Sequence, residues 1–380
     1  MDHRWNSRRR FLSALFLEDV DSIPVMPYGV YPHQLGSFTE DVSYQPLIEL
    51  VEDKCDAMHP YSPRTGRNIF LSSSDSASIR ANSWKEGDRV LYSQEIDTPR
   101  GFLRCIDAGY EGGPSRCIKP YIESDEDLEK ILSIPYEELT IDTSNLAEED
   151  ARIDGKGILR LDIPEPLGYV APLFRFEDFV NKSYRRKEVI KELLDIFFKR
   201  CMDYAVKITK VGVEATYWLT GPEYAAPPLF PPKFFTEYVR RYDSELIKVI
   251  HEGGGIAVIH CHGSVNKILE EFVTMQVDAI HPVEAPPLGD TPLSEAKRRI
   301  GDRICFIGNI QIGDIYASPS QEIDEKVRDA ISVCPDGGLI LSTTASPHWS
   351  PIPAEVLKNY FQFANSGRKY GANPRRYYIG

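Results

Sequence analysis

Four side chains of metal-binding type follow apolar, β-branched runs of the sequence; they are His260, His262, Glu284 and His348. In an extended strand, residues i and i+2 point to the same face, so one ion can contact both His260 and His262. Three imidazoles and a carboxylate are ligands that zinc accepts in catalytic sites. The residue types and their spacing therefore predict a zinc site. The alternative is a set of polar residues with hydrogen-bonding roles only.

Other polar residues at predicted strand ends complete the candidate site. Glu223 is an isolated acid, and we predict that it acts as a general acid or base or contacts substrate. Its alternative role is that of a buried structural carboxylate bonded to backbone N–H groups. Asn309 and Gln311 are predicted to orient substrate or the neighbouring polar side chains. Four further residues are candidate substrate contacts, with packing at the rim as their alternative role: Tyr28, His33, His59 and Glu165.

The elements that must position these residues alternate along the chain. Eight strand-like runs are separated by helix-like stretches, whose apolar periodicity is clearest over 188–198 and 235–250. This alternation predicts a single (β/α)8 TIM barrel, in which the carboxyl ends of the strands meet at one catalytic rim. A doubly wound open sheet is less favoured, because no GxGxxG motif follows the first strand. The predicted strands are 23–28, 55–58, 158–162, 213–218, 255–259, 277–280, 304–308 and 339–344.

One long segment between the second and third predicted strands departs from the alternation. The runs 89–94 and 101–106 flank Thr98-Pro99-Arg100 and predict a β-hairpin. Residues 124–132 begin with Ser and acidic residues and predict a capped helix. We therefore expect one barrel domain over residues 1–380, with an inserted hairpin-plus-helix segment over about 64–154 on the catalytic rim.

Composition argues against several classes of partner. The 380-residue chain is 42% hydrophobic, and no apolar stretch approaches the roughly 20 residues that span a bilayer. A net charge of −13, with only short basic runs, makes nucleic acid and anionic membranes poor partners. The seven Cys residues lack CxxC spacing, and the charged N-terminus lacks the apolar core of a signal peptide. We therefore expect a cytoplasmic location.

Several short motifs occur in an order that is typical of one superfamily. They are Gly221-Pro222-Glu223-Tyr224, His260-Cys261-His262-Gly263, Pro282-Val283-Glu284, Gly308-Asn309-Ile310-Gln311 and the run 353–371. With them the chain resembles the uroporphyrinogen decarboxylase-like superfamily, from about Arg10 to Gly371. It is more similar to the zinc-dependent, corrinoid-linked methyltransferases than to the decarboxylase itself.

The resemblance implies a reaction and its partners. Zinc, held by His260, His262, Glu284 and His348, would act as a Lewis acid toward an acceptor thiol or the oxygen of a methyl donor. The methyl group would pass between that small molecule and a corrinoid carried by a partner protein. The methyl donor or acceptor, and this corrinoid protein, are therefore the expected partners.

Departures from the superfamily patterns leave two other functions open. The segment from Tyr28 to Gln34 stands where the decarboxylase carries Arg-Gln-Ala-Gly-Arg, so the cationic groups that a polycarboxylate needs are missing there. His262 and His348 stand where the methyltransferases carry metal-binding Cys residues. One alternative is a metal-independent decarboxylase or other lyase that acts on a smaller acid. The other is a noncatalytic member that binds a corrinoid protein.

Overall fold

Eight parallel strands form a barrel at the centre of the molecule. The structure is a computed structural model, and it describes residues 5–32, 40–65, 70–75, 78–110, 115–153 and 155–372. The strands are, in chain order, β1 (Val25–Met26), β2 (Ala57–Tyr61), β3 (Arg64–Thr65), β4 (Ile79–Glu86), β5 (Arg89–Thr98), β6 (Gly101–Gly109), β7 (Ser115–Lys119), β8 (Ile141–Asp142), β9 (Gly157–Ile163), β10 (Thr216–Thr220), β11 (Ile256–His260), β12 (Ala279–His281), β13 (Cys305–Ile310) and β14 (Leu339–Thr343). The barrel sheet has the order β1-β14-β13-β12-β11-β10-β9-β2.

A buried acid joins the two ends of this sheet. The backbone N–H of Asp56, just before β2, donates to the carbonyl oxygen of Val25 in β1 at 2.8 Å. The Oδ2 atom of Asp56 in turn accepts the backbone N–H of Val25 at 3.1 Å. Arg10 and Arg368 pair with the same carboxylate, at 3.4 and 3.1 Å. Asp56 therefore replaces the missing ladder bonds between β1 and β2 and closes the barrel.

Helices surround the barrel because their apolar faces pack on its outer surface. The longest one, Lys187–Thr209, buries residues at the three-to-four spacing of a helix, including Val189, Ile190, Leu193, Leu194 and Phe197. A π-helical segment, Thr236–Arg240, joins the helix Pro232–Phe235 to the helix Arg241–Glu252. The helices are α1 (Ser7–Leu15), α2 (Gln45–Lys54), α3 (Asp125–Leu132), α4 (Leu146–Arg152), α5 (Pro166–Val170), α6 (Phe176–Arg185), α7 (Lys187–Thr209), α8 (Pro232–Phe235), α9 (Arg241–Glu252), α10 (Leu269–Thr274), α11 (Leu293–Ile300), α12 (Ile312–Ala317), α13 (Ser320–Val333) and α14 (Ala354–Gly371).

Alternate residues of the barrel strands fill its interior. Met26, Met58, Ile158, Val258 and Ile340 belong to one buried cluster, which α1 closes from the amino-terminal side of the strands with Phe11 and Leu15. Side chains two residues further along each strand point the same way and form the next layer, toward the carboxyl ends. That layer contains Arg160, His260 and Ser342, so polar side chains lie directly above the buried apolar cluster.

The segment between β2 and β9 contains an antiparallel sheet with the order β4-β5-β6-β7. The two strands of the predicted hairpin, β5 and β6, pair from Val90↔Gly109 to Thr98↔Gly101. Ser124 caps the predicted helix, α3, in a reciprocal capping box with Asp127. Beyond this sheet, Ile122 bridges Phe174 in the segment that follows β9. The sheet segment is thereby connected to the carboxyl-terminal side of the barrel.

The barrel and its eight strands were predicted correctly, and the open-sheet alternative is excluded. The fourth barrel strand begins later than expected, at Thr216 rather than Val213, because Gly212 adopts a φ of +69° and turns the chain first. Among the described residues, no helix has the length and the apolar character needed to cross a membrane.

Candidate functional site

A cavity of 420 Å³ opens beside the carboxyl ends of β10, β11 and β12. Three of the predicted site residues, Glu223, His262 and Glu284, line it together. The apolar part of its wall includes Pro228 and Leu288. No Lys or Arg among the described residues lines this cavity. We call it the rim cavity.

His262 and Glu284 form a pair inside the rim cavity. The Nδ1 atom of His262 lies 3.1 Å from Oε2 of Glu284, and the backbone N–H of Gly263 donates to the same oxygen at 2.9 Å. Burial by itself raises the pKa of Glu284, but these two donors outweigh it and hold the pKa below its usual value. An ionised carboxylate only accepts hydrogen bonds, so Nδ1 of His262 carries the proton. In the neutral ring, the Nε2 atom then has a free lone pair, and the side chain is 36% exposed.

His260 lies deeper and is bonded to a second imidazole. Its Nδ1 atom is 2.8 Å from Nδ1 of His281, and Nε2 of His281 is 3.2 Å from the carbonyl oxygen of Thr343. Burial, with the nearby His262 and Arg160, lowers the pKa of His260 to about 3. Burial also places the pKa of His281 well below its usual value. Both rings are therefore neutral near pH 7.

Aromatic rings hold this pair of imidazoles in place. The ring of Tyr28 stacks on His281 at a centroid distance of 4.3 Å and on His260 at 5.7 Å. Trp218 packs against His281 at 5.4 Å. The Arg160 guanidinium lies 4.2 Å from the Trp218 ring centroid. Tyr28, predicted as a substrate contact, therefore lies at the base of the site as a packing partner of both imidazoles.

Glu223 reaches the rim cavity from a tight turn after β10. The turn begins at Gly221, whose φ of +136° suits only glycine, and a short 3₁₀ helix, Pro222–Ala225, follows it. Burial raises the pKa of the Glu223 carboxyl. No hydrogen-bond donor of the described chain reaches its buried Oε2 atom. Burial thus stabilises the neutral form of the Glu223 carboxyl relative to a carboxyl in water.

Glu165 has a structural position beneath that turn. Its Oε2 atom accepts the backbone N–H of Gly168 at 2.5 Å and caps α5. Burial first, and then the neighbouring Asp243 carboxyl, raise the pKa of Glu165 well above its usual value. Burial raises that of Asp243 likewise. No hydrogen-bond donor of the described chain reaches either side-chain oxygen of Asp243, so burial is uncompensated there and stabilises the neutral form of the acid.

Three of the remaining predicted substrate contacts lie away from the rim cavity. His59 is buried and follows Met58, a residue of the barrel interior, so His59 points to the opposite face of β2 and packs by Gly157. Asn309 and Gln311 line a separate cavity of 310 Å³. Gln311 also donates to the carbonyl oxygen of Ala285 at 2.7 Å, which anchors the residue after Glu284. His33 lies outside the described residues.

The predicted zinc ligands are only partly brought together. The rings of His260 and His262 lie 4.7 Å apart, and Glu284 joins His262. His348 instead stacks on Tyr316 at 4.6 Å, with no described contact to the other three. Within the described chain, no three His, Cys, Asp or Glu side chains are arranged to hold a metal ion. These residues do not fit the predicted four-ligand shell, and we derive no step through zinc.

Comparison with known proteins places the chain in a family. The model of the uroporphyrinogen decarboxylase (URO-D) family matches residues 166–356, just over half of the chain. The protein belongs to the uroporphyrinogen decarboxylase family. The match spans β10 to β14, and therefore every residue that lines the rim cavity. No curated protein matches the sequence significantly.

One solved structure supports the fold of this family member, and a second match is weak. A methyltransferase from Methanosarcina mazei is 15% identical, with a TM-score of 0.60, over 97% of this chain and 99% of its own. A D-psicose 3-epimerase with D-tagatose, from Clostridium cellulolyticum H10, is 12% identical, with a TM-score of 0.33. That match covers 61% of this chain and 94% of the epimerase. At this identity the methyltransferase likeness concerns the fold alone.

Two residues of the candidate site were not predicted from the sequence as site residues. His281 is in register with His260 on the neighbouring strand, and Arg160 occupies the same interior layer. A period of two along β12, counted from the apolar Ala279, would have pointed His281 inward beside His260. The sequence around Arg160 did not predict its place in the site, because a charged residue within an apolar strand does not indicate which side chains it contacts.

A larger cavity of 890 Å³ lies between the antiparallel sheet and the segment that follows β9. Tyr224 lines this cavity, and it directly follows Glu223, which lines the rim cavity. The lining also includes Asp107 and Arg175. None of the His residues of the candidate site lines it within the described chain. The two cavities are therefore neighbours that differ in their lining, because the larger one contains an Arg side chain and the rim cavity contains His262.

Proposed function

We propose that this family member is a small-molecule methyltransferase whose rim cavity exchanges a methyl group with a corrinoid on a partner protein. The observation that carries the proposal is the His262–Glu284 pair in the cavity wall, in which the carboxylate engages Nδ1 of His262 and leaves Nε2 as the ring nitrogen that can accept a proton. The superfamily motifs and the likeness in fold to the Methanosarcina mazei methyltransferase also support it. The corrinoid would supply or receive the methyl group at the cavity mouth.

His262 is the general base of the proposed reaction. A thiol or hydroxyl acceptor must lose its proton as its sulfur or oxygen takes the methyl group. The Nε2 atom of His262 receives that proton, and the Glu284 carboxylate stabilises the imidazolium through Nδ1–H. In the reverse direction the same imidazolium returns the proton to the demethylated product.

Glu223 serves as a neutral hydrogen-bond donor on the same cavity wall. Burial favours its protonated form, and its Oε2 atom has no other partner among the described residues. A protonated carboxyl can donate to the ether oxygen or the acceptor heteroatom of a bound substrate. In this proposal Glu223 is the hydrogen-bond donor and His262 is the general base.

The charges of the rim cavity select the substrate class. The Glu284 carboxylate and the neutral Glu223 face a space without any described Lys or Arg. A polycarboxylate such as uroporphyrinogen needs cationic partners and would be repelled there. We therefore propose a neutral or cationic substrate small enough for 420 Å³, such as a thiol, an alcohol or a methyl ether. The decarboxylase alternative is disfavoured for the same reason.

A methyl-transfer assay tests this proposal. The purified protein would receive methylcobalamin as the corrinoid and a panel of small neutral thiols, with methyl thioethers quantified by mass spectrometry, both with and without added zinc. We expect transfer by the unaltered protein and a loss of about 10²–10⁴-fold in His262→Ala, the range for a lost general base. His251→Ala is the matched control, because His251 pairs with Asp278 outside the rim cavity. Equal rates for both variants, or no transfer to any thiol, would overturn the proposal.

A further inference from the structure

A chain of hydrogen bonds below the rim cavity determines which nitrogen of His260 carries its proton. It begins at the carbonyl oxygen of Thr343, which can only accept. That oxygen lies 3.2 Å from Nε2 of His281, so Nε2 of His281 must carry a proton and donate it. The next bond, at 2.8 Å, joins Nδ1 of His281 to Nδ1 of His260.

The charge state of His281 decides the direction of this second bond. The side chain has no solvent exposure, and no carboxylate of the described chain bonds to it. A buried imidazole without a counter-ion is neutral and carries a single proton. Because that proton is on Nε2, Nδ1 of His281 is an acceptor. The donor of the 2.8 Å bond is therefore Nδ1–H of His260.

We infer that His281 is a positioning residue that holds His260 in its Nδ1–H form and leaves Nε2 of His260 with a free lone pair. The packing supports this role, because Tyr28 stacks on both rings and fixes their planes. No described residue bonds to Nε2 of His260, and its ring contacts that of His262 at 4.7 Å.

A free Nε2 on His260 adds a second acceptor next to the general base. Together with Nε2 of His262, it can receive hydrogen bonds from the two protons of an amine or from a water held beside the substrate. Without His281, the proton could move to Nε2, the nitrogen that a solvated imidazole prefers, and the acceptor would become a donor. This inference concerns the site of the proposed methyltransferase, but the state of His260 can be measured without any turnover.

Nitrogen NMR of ¹⁵N-histidine-labelled full-length protein tests the inference. Two-bond ¹H–¹⁵N correlation distinguishes protonated from unprotonated ring nitrogens, and His260→Gln identifies the His260 signals by their loss. We expect Nδ1–H for His260 and Nε2–H for His281 in the unaltered protein. Nε2–H for His260 would overturn the inference at once.

Two substitutions of His281 separate positioning from packing. In His281→Asn, the amide oxygen stands near the former Nδ1 and can still accept from His260, so the Nδ1–H form should persist. In His281→Phe, the ring and its stacking on Tyr28 are kept but the acceptor is lost, so the proton should shift to Nε2. An unchanged His260 spectrum in a folded His281→Phe variant would contradict the inference. His251→Asn, outside the site, should leave the His260 signals unchanged.

Kinetics then separate this inference from the proposed function. If methyl transfer occurs, His281→Phe should lower kcat about 10–100-fold with little change in KM, the range for loss of an orienting partner. His281→Asn should recover most of that loss. A correct tautomer pattern without any transfer would support the role of His281 and count against the methyltransferase proposal alone.

Discussion

At the scale of single residues, the sequence located the part of the site that follows strand ends directly. His262, Glu284 and Glu223 meet in one cavity, as their positions after three strands indicated. His348 and His59 do not join them, since His348 lies in a loop and His59 lies on the opposite face of its strand. Spacing along the sequence does not reveal either position. The His260–His281 bond depends on the register of β11 with β12, which only the folded barrel specifies.

Glu223 provides a prediction about charge. Burial raises its pKa, so the neutral carboxyl persists to higher pH than in water and is lost as the pH rises further. Glu223→Gln keeps a neutral donor of equal size and should cost less than about 10-fold in kcat/KM, while Glu223→Ala should cost about 10²-fold or more. The pH profile should also fall less steeply on its alkaline side in the Gln variant. Equal losses in both variants would show that Glu223 acts as an anion.

His348 tests the zinc prediction directly. Its ring stacks on Tyr316 and is exposed to solvent, so His348→Ala should lower methyl transfer far less than His262→Ala. Elemental analysis of protein purified without a metal column should find less than one zinc per chain, because no three ligands converge among the described residues. One tightly held zinc, lost equally in both variants, would restore the four-ligand prediction.

At the scale of elements, apolar runs and helical periodicity predicted the barrel strands and several helices. The antiparallel sheet was predicted only in its inner hairpin, since β4 and β7 are exposed along most of their length and lack an apolar pattern. Turns were the least predictable part. The turn at Gly221 positions Glu223, but its close approach to Glu165 brings together the segments that follow two different strands, β10 and β9.

Gly221→Ala should be strongly destabilising. The backbone there has a φ of +136°, and an added Cβ would lie 2.5 Å from Oε2 of Glu165 and from Cα of Gly168. Backbone strain and overpacking each cost about 1–3 kcal/mol, so we expect a loss of at least about 2 kcal/mol in thermal or urea unfolding. Gly212→Ala is the control, because its φ is +69° but no atom lies within 4 Å of the added Cβ. A smaller loss for Gly221 than for Gly212 would contradict the close approach.

The Glu165–Asp243 pair gives stability a pH dependence. The folded-state pKa of each acid lies above its unfolded value, so the folded protein holds protons that the unfolded chain releases above about pH 4. The contribution of this pair to stability should therefore be fully present below about pH 4 and be lost as the pH rises through the raised folded-state values. Asp243→Asn removes one of the two buried acids and should reduce that loss. The melting temperatures of Asp243→Asn and of the exposed control Asp302→Asn, measured as a function of pH, check this prediction. Parallel curves of melting temperature against pH for the two variants would contradict it.

At the scale of the whole molecule, eight alternating units were enough to predict a barrel with its chemistry at one rim. The contact that joins β1 to β2 was not predictable, because it depends on the side chain of Asp56 rather than on a strand pattern. The layered interior explains how the candidate site is supported. An apolar cluster lies under a polar layer that includes His260, and this layer lies beneath the rim cavity, which Glu223, His262 and Glu284 line.

A double-substitution cycle on His262 and Glu284 tests the proposed chemistry most directly. If the pair acts as one base, His262→Gln removes the function of Glu284 as well, and the double variant should transfer methyl groups no more slowly than His262→Gln alone. The rate constant kcat/KM with methylcobalamin and a small thiol would be measured for the four proteins. Losses of about 10²-fold or more in His262→Gln, unchanged by adding Glu284→Gln, are the expected result. Two independent losses that multiply, or single variants that transfer at the full rate, would contradict a paired base in the rim cavity.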